Sequence, residues 1–185
     1  MNRHPNLLQR SRSALLIIDV QEKFVPVISE FDRIETNIST LIQGCSLMGV
    51  STFYTEQYPK GLGRTTGALR EKLQPAVPFE KLRFSAAGET ELLDVLVEHN
   101  IKQLILVGIE THVCLLQSAL DFLERGYQVY IVADATASRN PNDSTLALQR
   151  MREEGITVTS KESVLFELAE TSGTDKFRQL SALVK

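Results

Sequence analysis

The stretch LILVGIETHVCLLQSALDFLERG, residues 104–126, decides the fold class of this chain of 185 residues. Its first residues, Leu104, Ile105, Leu106 and Val107, are apolar without alternation. That is the mark of a strand covered on both faces, and so of a parallel sheet between helical layers. Gly108 ends the run. Further on, Val113, Leu115, Leu116, Ala119, Leu120, Phe122 and Leu123 leave only a narrow polar strip of Gln117, Asp121 and Glu124, which describes a mostly buried helix stopped by Gly126. Thr111 fits the N-cap and would put Cys114 at the third helical position. Free backbone N–H groups and the helix dipole favour an anion there and draw a thiol towards thiolate. Free cysteines are also among the most buried and inert residues, so Cys114 reads at this point either as an activated sulfur or as one more small apolar residue.

Working outward, residues 14–18 form a second continuous apolar run, again a buried central strand, and it delivers Asp19 at its carboxyl end. Open α/β sheets hold their ligands at that end; a cap on the following helical turn is the alternative role for Asp19. Residues 32–48 repeat apolar positions at helical spacing, with Cys45 on the core face and no chemistry assigned to it. Residues 51–55 alternate as a strand that opens into a loop, residues 56–63. Gly61, Gly63 and Gly67 in and after that loop match neither G-x-G-x-x-G nor a phosphate loop ending in Gly-Lys-Ser/Thr, so the segment reads as a surface loop bordering a pocket. Residues 77–79 make a short strand leading to Lys81, which among Glu80 and Arg83 reads as a solvated lysine. Helices follow at 89–99, 144–154, 162–169 and 175–184, with strands at 128–132 and 156–159. His99 suits the end of its helix. The alternation predicts an α/β fold with a mostly parallel sheet in one domain, residues 1–185, with residues 1–12 a flexible tail.

Composition excludes several classes. Net charge is −3 with 20 basic and 23 acidic residues and no basic run, which argues against nucleic acid or an anionic membrane surface as partner. Two cysteines and three histidines supply neither a disulfide framework nor zinc-ligand spacing. No apolar run approaches a membrane span, so the expected location is cytoplasmic. The basic start, with Arg3, Arg10 and Arg12, has the look of a transit peptide, but a solvated tail is the reading adopted.

Cys114 and Asp19 both follow the carboxyl ends of buried strands, so one crevice can hold both. The segments LLIIDVQ (15–21), FEKLRFS (79–85), VGIETHVC (107–114) and ADATASR (133–139) resemble the isochorismatase-like cysteine hydrolases over about residues 13–167. This resemblance implies a three-layer, Rossmann-like fold with a six-stranded, mostly parallel sheet flanked by helices, and a triad of Asp19, Lys81 and Cys114. It further implies a cis peptide bond between Ile109 and Glu110 and an oxyanion hole made by the backbone N–H groups of Glu110 and Cys114. It also reverses the surface reading of Lys81. Members of the family that hydrolyse nicotinamide hold a metal through an aspartate and histidines after the second strand; this chain has Glu56, Gln57 and Tyr58 there, so no metal and no cofactor are expected. True isochorismatases cleave a vinyl ether and need no cysteine, so the intact triad leans towards an amide, carbamoyl or ester bond of a small-molecule substrate.

Weaker candidates for the substrate pocket are Gln21 and Phe24 after Asp19, Gln57 and Tyr58 in the loop, and His112 near the mouth. The resemblance implies a homo-oligomer, with Leu180, Leu183 and Val184 as candidate contacts. Two alternatives stand beside the hydrolase: a catalytically silent binding or scaffold protein on the same fold, and a nucleotide binder using Gly61 to Gly67.

Overall fold

The computed structural model describes residues 3–184. Six strands run parallel in the order β3-β2-β1-β4-β5-β6: β1 Ser13–Ile18, β2 Ser51–Gln57, β3 Phe79–Lys81, β4 Gln103–Ile109, β5 Gln128–Ala137 and β6 Thr157–Thr159. All six residues of β1 and all seven of β4 are buried, as unbroken apolar runs require. Their side chains alternate between two cores. Leu15, Ile17, Ile105 and Val107 face α1 (Phe31–Met48) and α7 (Lys161–Ala169), while Leu16, Ile18, Leu104 and Leu106 face α4 (Thr90–Glu98), α5 (Leu116–Glu124) and α6 (Pro141–Glu153). The sheet is therefore the middle of three layers.

Strand order reverses direction between β1 and β4, which makes their carboxyl ends the switch point where such sheets bind ligands. At that seam Gly108 has φ +119°, and a Cβ on it would lie 2.1 Å from the carbonyl oxygen of Ile18. Only glycine permits so close an approach. Beyond it, β5 makes an excursion: Leu106 pairs with Ile131, but Gly108 pairs with Thr136. The turn of the excursion is used, since the Asp134 carbonyl accepts from Arg33 and Asn37, and its carboxylate accepts the Lys161 N–H that opens α7.

Several expectations need correction. Residues 3–12 do not trail as a tail: Leu8 is wholly buried, and Arg3 donates to the carbonyls of Leu8 and Glu167. Residues 1 and 2 of that segment lie outside the described residues. Leu180 is also fully buried, because α8 (Asp175–Leu183) seats on α1 and α7, so it is not free to serve as a subunit contact; Val184 is partly buried against the α1 side of the core. Two helices were not foreseen, α2 (Pro59–Leu62) and α3 (Gly67–Leu73), the latter holding on through buried Leu69 and Leu73 one turn apart. Among the described residues no helix is long and apolar enough to cross a membrane.

Candidate active site

Asp19 follows β1 with φ +52°, a left-handed backbone that aspartate tolerates better than most residues yet that still stores strain. The side chain is wholly buried. Its Oδ1 accepts from Thr55 Oγ1 at 2.6 Å, and its Oδ2 accepts from Lys81 Nζ at 2.6 Å. Thr55 sits on β2, and sequence reasoning gave it no role because a threonine in a strand reads as a strand former.

Lys81 is the last residue of β3, not a solvated loop lysine, and its side chain is fully buried. Such burial is tolerable only with a counter-charge and saturated donors. The ammonium donates to Asp19, to Gln57 Oε1 at 2.8 Å and to the carbonyls of Phe84 at 2.9 Å and Arg83 at 3.2 Å. These four acceptors engage the ammonium on every side and hold it in place.

Gln57, expected in a loop, closes β2 and is buried. Its amide nitrogen donates to the Leu82 carbonyl while its oxygen accepts from Lys81, so it braces the lysine. Gln21 likewise proves to be a strut. It is wholly buried, donates to the carbonyls of Gln57 and Gly63, and accepts from the Gln57 N–H. Phe24 is partly buried and packs against the α1-side core. Tyr58 is half exposed with φ +39°, and its ring lies over Gly61, where a Cβ would come within 2.5 Å of it. It lines a cleft of about 540 Å³ along the outer edge of β3, together with Lys60, Lys81, Leu82 and Arg83. Neither Asp19 nor Cys114 lines that cleft.

Cys114 lies in a π-helical turn, Thr111–Leu115, that precedes α5. The Glu110 carbonyl accepts N–H groups from both Val113 and Leu115. Thr111 is not the N-cap: its hydroxyl joins a chain in which Ser144 donates to Thr111, Thr111 meets Thr136, and Thr136 donates to the Gly108 carbonyl. Cys114 retains 6% exposure and faces the Asp19–Lys81 pair. Burial pushes its thiol up to about 12, helped by the negative charge of Asp19 and opposed by the ammonium of Lys81. This runs against the pull towards thiolate expected of a helix start. Desolvation is the largest influence and favours the thiol form beside the Asp19 carboxylate.

The peptide bond between Ile109 and Glu110 is cis. The Glu110 side chain is buried and turned towards the β5–α6 connection, where its Oε2 accepts from the Arg139 N–H at 2.9 Å and Arg139 Nε at 3.0 Å. Burial pushes this carboxyl up, but the Arg139 hydrogen bonds and charge more than offset it, so the net effect is downward. His112 is engaged elsewhere, its Nδ1 2.8 Å from Ser138 Oγ and its Nε2 4.0 Å from Asp143. Near the end of β2, the buried Glu56 carboxylate accepts from Arg64 and from the Thr65 N–H. Among the described residues no three His, Cys, Asp or Glu side chains converge as metal ligands.

Comparison with known proteins adds a family. The isochorismatase domain model matches residues 13–163. The chain is 39% identical over 177 residues to isochorismatase family protein 1B of Dictyostelium discoideum, covering 94% of this chain and 86% of that protein. It is 38% identical over 178 residues to isochorismatase domain-containing protein 2 of Danio rerio, covering 96% and 89%. Among solved structures, that of the MAR1 ribonuclease of Caenorhabditis elegans superposes with a TM-score of 0.90 at 38% identity, covering 96% of this chain and 91% of that one.

Proposed function

Because the chain belongs to the isochorismatase family, we propose that it is a metal-independent cysteine hydrolase cleaving an amide, carbamoyl or ester bond of a small molecule. The observation that carries this reading is a buried Cys114 sulfur facing a carboxylate that a buried ammonium and a threonine hydroxyl hold in place. A nucleophile, its base and an orienting group converge, as covalent catalysis requires.

In this mechanism Asp19 takes the Cys114 proton as sulfur attacks the carbonyl carbon, so that a thiolate forms only as it is consumed. The N–H groups of Glu110 and Cys114 receive the oxyanion, each donor lowering the barrier by about 3 kcal/mol. Collapse of the tetrahedral adduct breaks the carbon–nitrogen or carbon–oxygen bond, and the leaving amine or alcohol takes the proton from Asp19. A thioester remains. Asp19 then removes a proton from water, hydroxide adds to the thioester, and the departing sulfur recovers that proton. Lys81 stays a cation throughout and stabilises each state in which Asp19 is charged.

Metal independence is supported by the occupation of the family's metal-binding segment: Glu56 is spent on Arg64 and Thr65, and Gln57 on Lys81. A cytoplasmic homo-oligomer completes the proposal. The small opening over Cys114, and a larger cleft that excludes it, favour one other reading, a binding or scaffold protein without turnover. A panel of amides, carbamates, esters and a short RNA, with chelator present, tests both readings on wild type and Cys114→Ala. Turnover that disappears with the sulfur and leaves an acyl mass on Cys114 supports the hydrolase. Activity surviving the substitution overturns the nucleophile, and silence throughout favours the scaffold.

A further inference from the structure

Three consecutive side chains of the turn that leads to Cys114 are tied to one other segment, residues 136–144. Glu110 is held by Arg139, Thr111 by Thr136 and Ser144, and His112 by Ser138. Only the first tie involves a buried charge. The Glu110 side chain is 5% exposed whereas that of Arg139 is 63% exposed, so a surface guanidinium reaches down to neutralise an interior carboxylate. Two donors from the same residue, its backbone N–H and its Nε, converge on the single oxygen Oε2. That arrangement fixes the torsions of the Glu110 side chain and leaves its peptide little freedom to rotate. His112 also pulls the Glu110 carboxyl downward, though less than Arg139.

We propose that Arg139 is a positioning residue which, through the Glu110 carboxylate, aims the Glu110 N–H at the acyl oxygen. The inference rests on the hydrolase reading and assigns to the β5–α6 connection the task of holding the oxyanion donor still. Arg139 touches neither sulfur nor base; its effect passes through Glu110.

The test follows acylation of Cys114 by p-nitrophenyl acetate, reading the burst of nitrophenol and the acyl mass on the protein. Arg139→Ala slows acylation about ten- to hundredfold with KM changed by less than about threefold, since a donor displaced by a fraction of an ångström loses most of its value. Added guanidinium ion restores part of the rate. In the double variant Arg139→Ala with Glu110→Gln the loss is no greater than in Arg139→Ala, because both substitutions act on one contact. Arg139→Gln supplies the same reading from a bulkier side chain if the alanine variant does not fold. An Arg139→Ala rate within about twofold of wild type overturns the inference, as do losses that multiply in the double variant. If wild type forms no adduct that depends on Cys114, the hydrolase reading falls and this inference with it; an adduct in wild type and an unchanged variant sink the inference alone.

Discussion

Lys81 ends β3 and Asp19 follows β1, two strands that do not touch. Strand β2 lies between β3 and β1, yet Lys81 Nζ reaches over it to within 2.6 Å of Asp19 Oδ2, with both side chains fully buried. The pair spans three strands, and β2 contributes Thr55 and Gln57 from below the bridge.

Removing half of this pair should cost more than removing all of it. Lys81→Met leaves a carboxylate buried without its counter-charge and is expected to destabilise by about 3–5 kcal/mol. Adding Asp19→Asn to Lys81→Met removes the stranded charge and should recover part of that loss. Urea denaturation of the two variants beside wild type measures the difference; a double variant less stable than Lys81→Met would contradict it.

Thr55→Val deletes the second hydrogen bond to Asp19 while keeping shape. One carboxylate oxygen is then left without its donor, at an expected cost of about 1–3 kcal/mol. Turnover should fall as well, because the base is free to rotate. Stability and kcat measured on the same preparation decide whether Thr55 orients Asp19 or merely fills the strand.

Alkaline pH should weaken the fold through its two thiols. Burial pushes Cys45 up to about 12, and burial with the charge of Asp19 does the same for Cys114, against an ordinary value of 9.0. Between those values the unfolded chain has released both protons and the native chain still holds them. The unfolded state then binds fewer protons, so stability is intact below pH about 9 and declines as pH rises towards 12. Cys45→Ala should flatten this decline, as seen in denaturation midpoints on either side of pH about 9.

Selective alkylation gives a kinetic counterpart. Cys45 has no exposure and Cys114 has 6%, with a carboxylate beside it. Iodoacetamide should label Cys114 alone on the native protein, and Asp19→Asn should slow that labelling. Peptide mass mapping reads both; equal labelling of the two cysteines would remove the claim that Asp19 assists the sulfur.

At the seam, Gly108→Ala should not give a stable protein. The added Cβ meets the backbone oxygen of Ile18 at 2.1 Å, and φ of +119° is closed to alanine. Neither conflict has a flexible side chain to yield. An expected loss above about 4 kcal/mol would appear as insoluble expression or an early melting transition.

How legible the molecule was in its sequence depended on whether burial was apolar. Strands β1 and β4 stood out because Ala14 to Ile18 and Leu104 to Val107 are unbroken apolar runs, all buried. Strand β3 was placed two residues early, and β2 was ended two residues short, because their last residues are Lys81, Glu56 and Gln57. These are polar side chains whose burial depends on partners far away in sequence, and no local periodicity records such partners. The same holds at the site. Asp19 and Cys114 could be placed by their strands, Lys81 only through the family resemblance, and Thr55 and Gln57 not in these roles at all. Thr111 misled for the opposite reason, since a local capping rule was overridden by a hydroxyl chain reaching β5 and α6.

Everything that holds the acid–ammonium pair, from Thr55 and Gln57 to the carbonyls of Arg83 and Phe84, is encoded before residue 85, whereas the sulfur comes on the far side of the seam with β4. The two portions meet through the parallel register of Ser13 to Ile18 against Gln103 to Gly108. A ribosome thus emits the charged cradle before the sulfur. In the proposed mechanism the thiol meets its base only at the docking of the second half, which makes a split of the chain near residue 100 a natural reporter of assembly.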